Sequence, residues 1–285
     1  MKKAVVINDL SGFGKCSLTA AIPVLSVMGV QCVPLATAVL TGQTGYEHFF
    51  CTDLTNMMPE YLQAWKQNDV HFDAIYSGFL TGARQTSYVS QLIDSFRTPD
   101  TFVLIDPVMG DNGHTYKLFT RELLTGMKEL TRKADMITPN LTEACLLAGI
   151  DLECMEEKQQ KGELIHLAKV AAQTIQAQLD HPQEILVTGI KSADSGEPYI
   201  YNLALCADTT FVTRSIYHER SFSGTGDLFA SCMCGMRLQG IPTPAALEQT
   251  QAFLNRGIED TMKESISAQE GIHFEKYLSM LLPKM

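Results

Sequence analysis

The chain has 285 residues, of which 45% are hydrophobic and 19% are charged, and its formal net charge is −10 with a pI near 5.2. This length and apolar content can bury a substantial core, and the acidic balance argues against a nucleic-acid partner. Eight cysteines without a C-x-x-C pair and seven scattered histidines argue against a disulfide framework and a zinc site. The sequence has neither a signal-peptide pattern nor an apolar run long enough to span a membrane, so we expect a cytoplasmic protein.

Short apolar runs alternate with longer helical patterns along the whole chain. In chain order we predict a strand at 4–7, a helix at 16–28, a strand at 32–38, a helix at 54–65, a strand at 74–76, a helix at 85–96, strands at 102–105 and 136–138, helices at 141–148 and 164–179, a strand at 185–187, an antiparallel pair at 199–206 and 210–216, and helices at 225–238, 244–263 and 273–282. This alternation predicts an α/β fold, with a mainly parallel sheet covered by helices on both faces and an antiparallel edge pair. The polar stretch 153–163 is predicted to be a surface loop, and residues 1–285 are expected to form one domain.

Polar residues, glycines or carboxylates follow five of the predicted strands. They are Asn8-Asp9, Ser77-Gly78, Asp106, Asn140 and Thr188-Gly189. Ligands of open parallel sheets bind beyond the carboxyl ends of the strands, so we expect these residues to line one cleft. Turn preferences alone also place glycine, asparagine and aspartate at strand ends, and this structural interpretation stays open.

The glycine-rich stretch Ser11–Ser17 resembles two nucleotide-binding motifs but matches neither. A Walker A loop needs glycine at the position of Asp9 and serine or threonine at the position of Cys16. The dinucleotide fingerprint needs glycine at the position of Ser17. We therefore interpret the stretch as a turn after the first strand, with Asp9 facing a ligand or accepting the backbone N–H groups of Ser11 or Gly12.

The segment Ser223–Asp227 carries the strongest chemical signal. Its two glycines precede an apolar run that is typical of a buried helix, and the unpaired N–H groups of a helix start favour a bound anion. A carboxylate at such a site is explained if Asp227 accepts a proton from a hydroxyl that attacks a phosphate. The alternative is an acidic residue that caps a helix led by glycine.

Two further segments place carboxylates after predicted strands. Asp106–Gly113 opens with a carboxylate at a buried strand end, which a magnesium ion on a nucleotide phosphate would compensate. Its turn Asp111–Gly113 suits a lid that closes over phosphates, and the alternative is a strand end followed by an Asx turn. Thr138–Glu143 contains an N-cap asparagine followed three residues later by glutamate, so it is either a capping box or a site for water-mediated contacts to a metal–nucleotide.

Together these three segments resemble the ribokinase superfamily, and more closely the pyridoxal kinases of vitamin B6 salvage. The motifs occur in the family's order across the whole chain, and Thr41–Tyr46 and Tyr76–Leu80 match its substrate regions. The resemblance implies a ribokinase-like fold and ATP-dependent phosphorylation of the 5′-hydroxymethyl group of pyridoxal, pyridoxamine or pyridoxine.

The resemblance also implies a role for each matched residue. Asp227 would be the general base, and the amides of Gly224, Thr225, Gly226 and Asp227 would form an anion hole. Magnesium bound with ATP would use Asp106 and Glu143; the nucleotide would contact Asp111, Asn140, Glu143, Thr188 and Thr225; and the vitamer would contact Asp9, Thr44, Ser77 and Phe79. A homodimer is implied, while the preferred vitamer and a requirement for a monovalent cation stay open.

Pyridoxal kinases often have serine where this chain has Asp9, and tyrosine where it has Phe79. An ionised Asp9 accepts but cannot donate hydrogen bonds, so it is expected to favour the ammonium of pyridoxamine or a protonated ring nitrogen.

Three alternatives stay open. A hydroxymethylpyrimidine kinase of thiamin synthesis resembles this family but usually has cysteine at the position of Asp227. A sugar or nucleoside kinase of the superfamily usually has a separate lid of extra strands, for which residues 9–50 leave little room. A catalytically silent ligand-binding relative would have no need of a base at an anion site, and Asp227 is present.

Overall fold

Eleven strands and nine α-helices make up the fold in the part of the chain that the computed structural model describes, which is residues 1–194, 196–218 and 220–283. The strands are β1 (Lys3–Ser11), β2 (Gln31–Leu40), β3 (Cys51–Asp53), β4 (Ala74–Ser77), β5 (Phe102–Ile105), β6 (Gly110–Asp111), β7 (His114–Thr115), β8 (Met136–Ile137), β9 (Glu184–Asp194), β10 (Glu197–Cys206) and β11 (Thr209–Ile216). The helices are α1 (Ser17–Val27), α2 (Met58–Gln67), α3 (Ala83–Phe96), α4 (Arg121–Thr131), α5 (Leu141–Ala148), α6 (Glu153–Gln160), α7 (Leu164–Gln176), α8 (Thr225–Leu238) and α9 (Thr243–Thr261).

Nine of the strands form one sheet in the order β11-β10-β9-β8-β5-β4-β1-β2-β3. The central strands from β9 to β2 pair in parallel, whereas β10 and β11 at one edge and β3 at the other pair antiparallel. The carboxyl ends of the parallel strands therefore meet at one edge of the sheet, where such folds bind ligands.

Helices cover both faces of the sheet because successive strand residues point to opposite sides. On β1, Val5 and Ile7 enter the core beneath α2, α3, α4, α5 and α7, while Ala4 and Val6 enter the core beneath α1, α8 and α9. Strands that are buried on both faces explain the continuous apolar runs of the sequence. The predicted α/β fold, including the antiparallel pair of β10 and β11, is confirmed.

Several sequence predictions need correction. The stretch 153–163 is not a surface loop, because 153–160 form α6, and α4 was not predicted at all. The predicted helix 54–65 begins with a 3-10 turn, and 273–282 is a 3-10 helix at Glu275–Leu281. Asn8-Asp9 and Thr188-Gly189 do not follow their strands but lie inside β1 and β9, which extend further than the apolar runs.

A helix that spans a membrane must be both long and apolar. Within the described ranges, none of the helices combines the length and the apolar character that crossing a bilayer requires.

Candidate active site

The first turn of α8 is built around a glycine in the left-handed conformation. Gly224 precedes the helix with φ = 79°, and a Cβ at this position would overlap the carbonyl oxygen of Lys15. Both observations require glycine here. The N–H groups of Thr225, Gly226 and Asp227 lie in the first turn, where an α-helix provides no acceptor, so this helix start can bind an anion.

Asp227 is half-buried in this turn, and its carboxylate meets β1. Asn8, which is fully buried on β1, donates a hydrogen bond from Nδ2 to Oδ1 of Asp227 at 3.0 Å. Burial raises the pKa of Asp227 to about 6, and the charge of Asp9 acts in the same direction, while the Ser17 N–H and the Asn8 amide oppose the increase. A carboxylate that titrates near neutral pH beside an anion site is suited to accept a proton from an attacking hydroxyl.

Asp9 is buried as well, and two serine hydroxyls hold its carboxylate. Ser11 Oγ donates to Oδ2 at 2.7 Å, and Ser17 Oγ donates to Oδ1. Burial raises the pKa of Asp9, and these two hydrogen bonds oppose the increase. The alternative in which Asp9 accepts the Gly12 backbone N–H is wrong, because that N–H donates to the carbonyl oxygen of Leu40 at 2.8 Å.

Asp106 directly follows β5 and lies close enough to Asp227 for their charges to interact. Burial raises the pKa of Asp106, the charge of Asp227 raises it further, and a hydrogen bond from the Thr138 hydroxyl at 2.9 Å opposes both effects. Burial also raises the pKa of Glu143, with the charge of Asp106 as the second cause. The site therefore gathers carboxylates whose mutual repulsion a cation would relieve.

Glu143 and Asn140 form the capping box that the sequence indicated. Glu143 accepts the Asn140 N–H on Oε2 at 2.9 Å, and Asn140 Oδ1 accepts the Glu143 N–H at 3.0 Å. The other carboxylate oxygen, Oε1, accepts the Met109 N–H at 3.0 Å. Both oxygens of Glu143 are thus engaged by the backbone, which supports the structural interpretation of this motif.

The donor set fits a magnesium ion that travels with a nucleotide. Among the described residues, no three His, Cys, Asp or Glu side chains form a complete metal cage. Magnesium is commonly held by one or two carboxylates together with substrate phosphates and water. Asp106 suits that pattern better than Glu143, because only Glu143 already accepts backbone N–H groups on both oxygens.

The predicted lid is a hairpin formed by β6 and β7, with Asp111 at its exposed turn. Asn140 Nδ2 donates to the carbonyl oxygen of Gly110 at 2.7 Å, and the Gly113 N–H donates to Thr142 Oγ1 at 2.9 Å. The start of α5 therefore anchors both sides of the hairpin turn.

A cavity of about 760 Å³ lies between this hairpin turn, the start of α5, α6 and β9. Lys191 of β9 lines it, donates from Nζ to Asn112 Oδ1 at 2.5 Å, and lies over the ring of Tyr217 at 5.1 Å from its centroid. This cavity has room for a nucleotide, and it is lined partly by α6, which the sequence analysis had assigned to a loop.

The remaining predicted residues are distributed around the same edge of the sheet. Ser77 is fully buried, and its Oγ has no hydrogen-bond partner in the part of the chain that the structure describes. The Phe79 N–H donates to Asn8 Oδ1 at 2.9 Å. Thr188 of β9 forms an isolated backbone bridge to Asn140, the N-cap of α5. Thr44 lies exposed in the turn after β2.

Three residues of the site were missed by the sequence analysis: Asn8 as a partner of Asp227, Ser17 as a partner of Asp9, and Lys191 in the cavity. A polar residue inside the apolar run of β1 was a usable signal for Asn8, since buried amides need partners. Lys191 gave no comparable signal because its partner Asn112 is distant in sequence. Ser17 gave none because it contacts Asp9 from a left-handed backbone conformation, with φ = 50°.

The mainly parallel sheet with antiparallel edge strands, covered by helices on both faces, is a ribokinase-like α/β fold. The family model for phosphomethylpyrimidine kinase matches residues 14–272, so the chain belongs to that family, which groups pyridoxal and phosphomethylpyrimidine kinases. Hydroxymethylpyrimidine/phosphomethylpyrimidine kinase of Bacillus subtilis is 23% identical over 266 residues, which cover 91% of this chain and 90% of the relative.

Two solved structures are similar over nearly the whole chain. A candidate phosphomethylpyrimidine kinase of Bacteroides thetaiotaomicron, crystallised with pyridoxal, has 37% identity and a TM-score of 0.86, covering 98% of this chain and 95% of its own. Pyridoxal kinase of Lactobacillus plantarum has 26% identity and a TM-score of 0.85, covering 99% and 97%. The protein is therefore a kinase of this family.

Proposed function

We propose that the protein transfers the γ-phosphoryl group of ATP to the 5′-hydroxymethyl group of a vitamin B6 vitamer, with Asp227 as the general base. The observation that carries this proposal is the half-buried Asp227 carboxylate in the first turn of α8, held by Asn8. A hydroxyl bound there can give its proton to Asp227 while the N–H groups of Gly224–Asp227 stabilise charge on the transferred group.

Magnesium would be held by Asp106 and the nucleotide phosphates, where it would neutralise charge on the transferred phosphoryl group. The nucleotide would occupy the cavity beneath the β6–β7 hairpin, beside Lys191 and Asp111. Thr188 precedes the cavity-lining Gly189, and Thr225 opens α8, so we propose that both contact the nucleotide. Asn140 precedes the cavity-lining Leu141, but its amide is already bonded to Gly110 and Glu143, so it would act by shaping the site.

The acidic character of the substrate side favours an alcohol without a phosphate group. Asp9 is buried there and its charge reaches Asp227. The positive charge of Lys15, in the loop between β1 and α1, is already engaged, because its Nζ donates to Glu275 and to the carbonyl oxygen of Ile272. A substrate that already carries a phosphate, as in the second step of a phosphomethylpyrimidine kinase, would be repelled by Asp9, whereas a vitamer with a protonated nitrogen would be attracted.

The relatives support both substrate classes to different degrees. The Bacteroides thetaiotaomicron structure holds pyridoxal and has the higher identity, 37%. The Bacillus subtilis relative, a hydroxymethylpyrimidine/phosphomethylpyrimidine kinase, is 23% identical. Hydroxymethylpyrimidine, which carries no phosphate, is therefore the second candidate substrate.

A substrate panel tests the proposal. ATP consumption would be measured with pyridoxal, pyridoxamine, pyridoxine, hydroxymethylpyrimidine and hydroxymethylpyrimidine phosphate, each at several concentrations. We expect the highest kcat/KM for a B6 vitamer and no turnover of the phosphorylated pyrimidine. Turnover confined to the two pyrimidines would contradict the proposal and assign the chain to thiamin synthesis.

A further inference from the structure

Asn8 has a side-chain amide whose three hydrogen bonds join the proposed base to the proposed substrate side. The side chain is fully buried on β1. Its Nδ2 donates to Asp227 Oδ1 at 3.0 Å, while its Oδ1 accepts the backbone N–H groups of Asp9 at 3.1 Å and Phe79 at 2.9 Å. One amide thus contacts α8, β1 and the loop after β4.

The orientation of this amide is fixed by its partners. Two backbone N–H donors face one end of the group, so that end must be the oxygen, and the NH₂ end must face the carboxylate of Asp227. An ionised carboxylate can only accept, so Asn8 provides the matching donor and holds Oδ1 of Asp227 in one position.

The chain also makes room for this amide. Gly78 lies directly against Asn8, and a Cβ at that position would overlap Nδ2 of Asn8. Glycine is therefore required at this position because the backbone approaches the amide closely, and not because the backbone is left-handed. The loop after β4 is shaped around the Asn8 side chain.

We propose that Asn8 is a positioning residue that fixes the Asp227 carboxylate relative to the backbone of Asp9 and Phe79, the two residues proposed to contact the substrate. This inference rests on the proposed function. A base must be held close to the hydroxyl that it deprotonates, and a displacement of about 1 Å can lower the rate about 100-fold. Asn8 sets that distance because it bonds to both sides of the gap.

The substitution Asn8→Asp tests this role. Aspartate has the same shape and still accepts the two backbone N–H groups, and in its ionised form it presents an acceptor instead of a donor to Asp227. We expect kcat to fall about 100-fold, while the KM of the alcohol changes less than about threefold because the substrate contacts remain. Thermal denaturation checks that Asn8→Asp is folded. If Asn8→Asp does not fold, Asn8→Ser is used instead, because serine removes the amide without adding charge.

Thr37→Val is the matched control. Thr37 is fully buried and donates from Oγ1 to the Phe79 carbonyl oxygen at 3.0 Å, so its loss removes a hydrogen bond to the same loop without touching Asp227. We expect the control to keep kcat within about threefold of wild type. A folded Asn8 variant with kcat equal to that of the control would overturn the proposal.

The result remains interpretable if the proposed function is wrong. Wild-type turnover of the B6 vitamers decides the function, whereas the ratio of variant to wild type, with whichever alcohol is phosphorylated, decides the role of Asn8. A readout without turnover is ¹³C NMR titration of the Asp227 carboxyl in Asn8→Ser. Loss of a donated hydrogen bond raises a carboxyl pKa, and an unchanged titration would contradict the contact.

Discussion

Asp9 is a residue at which this chain differs from pyridoxal kinases, which often have serine at this position. Its carboxylate is buried and held by Ser11 and Ser17, so its oxygens lie in a defined orientation. Each carboxylate oxygen can accept more than one hydrogen bond, and the serines therefore leave capacity for a proton of the substrate.

We predict that Asp9→Ser changes the choice between vitamers. A charge-assisted hydrogen bond contributes about 1.5–3 kcal/mol, or roughly ten- to a hundredfold in selectivity. The ratio of kcat/KM for pyridoxamine to kcat/KM for pyridoxal would therefore fall by about tenfold or more. Equal shifts for both vitamers, or no shift, would mean that Asp9 only stabilises the glycine turn.

Asp106 is predicted to affect the metal more than the vitamer. In Asp106→Asn the side chain keeps its shape but loses the charge that suits a magnesium ligand. We expect the magnesium concentration for half-maximal rate to rise about tenfold or more, with little change in the KM of the vitamer. An unchanged magnesium requirement would make Asp106 a structural residue that only accepts the Thr138 hydroxyl.

At the level of elements, the sequence predicted most long periodic segments and missed several short or polar ones. Helix α4 is an exception, because it was missed although its buried Leu123, Met127 and Leu130 recur at helical spacing. The bounds of α8 and α5 match their predictions because each helix starts at a recognisable capping or glycine signal. The polar α6 was missed because its sequence lacks an apolar pattern. The hairpin of β6 and β7 was predicted only as a flexible turn, because strands of two residues leave no periodic pattern.

The same limit applies to the site. The strand ends predicted that Asp106 and Asn140 lie at one edge of the sheet, whereas only the family resemblance placed Asp227 in the same site. It could not place Asn8 against Asp227, because that contact joins residues 219 positions apart in the chain. The roles assigned to individual residues by resemblance, and the homodimer, stay predictions.

We predict that Lys191 releases Asn112 of the β6–β7 hairpin when ATP binds and contacts the nucleotide instead. Lys191→Met should weaken ATP binding about tenfold or more, because a charge-assisted contact to phosphate is lost. Asn112→Gly should leave ATP binding unchanged or tighter, because glycine tolerates φ = 51° at this position and releases the lysine. Calorimetric titration with ATP checks both variants. Equal weakening in the two would show that Lys191 only holds the hairpin.

At the scale of the whole molecule, we expect the charge of Asp227 to reduce the stability of the free protein. Asp227 has a pKa of about 6 in the folded protein and an ordinary value of 3.8. A folded-state pKa that is raised means that ionisation opposes folding, so the free energy of unfolding falls as the pH rises from about 4 to 6 and the loss persists above that range.

Asp227→Asn should therefore stabilise the free protein at pH 8 and have little effect near pH 4. Asparagine keeps an oxygen that can accept from Asn8, while the buried charge is removed. We expect a Tm increase of about 2–4 °C at pH 8, the size expected for about 1 kcal/mol in a chain of this length. Differential scanning calorimetry without magnesium or nucleotide measures it. A lower Tm at pH 8, or an equal gain at both pH values, would contradict the account in which burial of the Asp227 charge lowers stability.

The central claim is that Asp227 deprotonates the hydroxyl of a B6 vitamer. The most direct measurement is single-turnover formation of pyridoxal 5′-phosphate by wild type and Asp227→Asn, with the enzyme in excess and saturated with magnesium and ATP. The account predicts that the variant binds pyridoxal and ATP normally but forms product roughly 10²–10⁴-fold more slowly, as expected for loss of a general base. A folded Asp227→Asn protein that forms product at nearly the wild-type rate would contradict it.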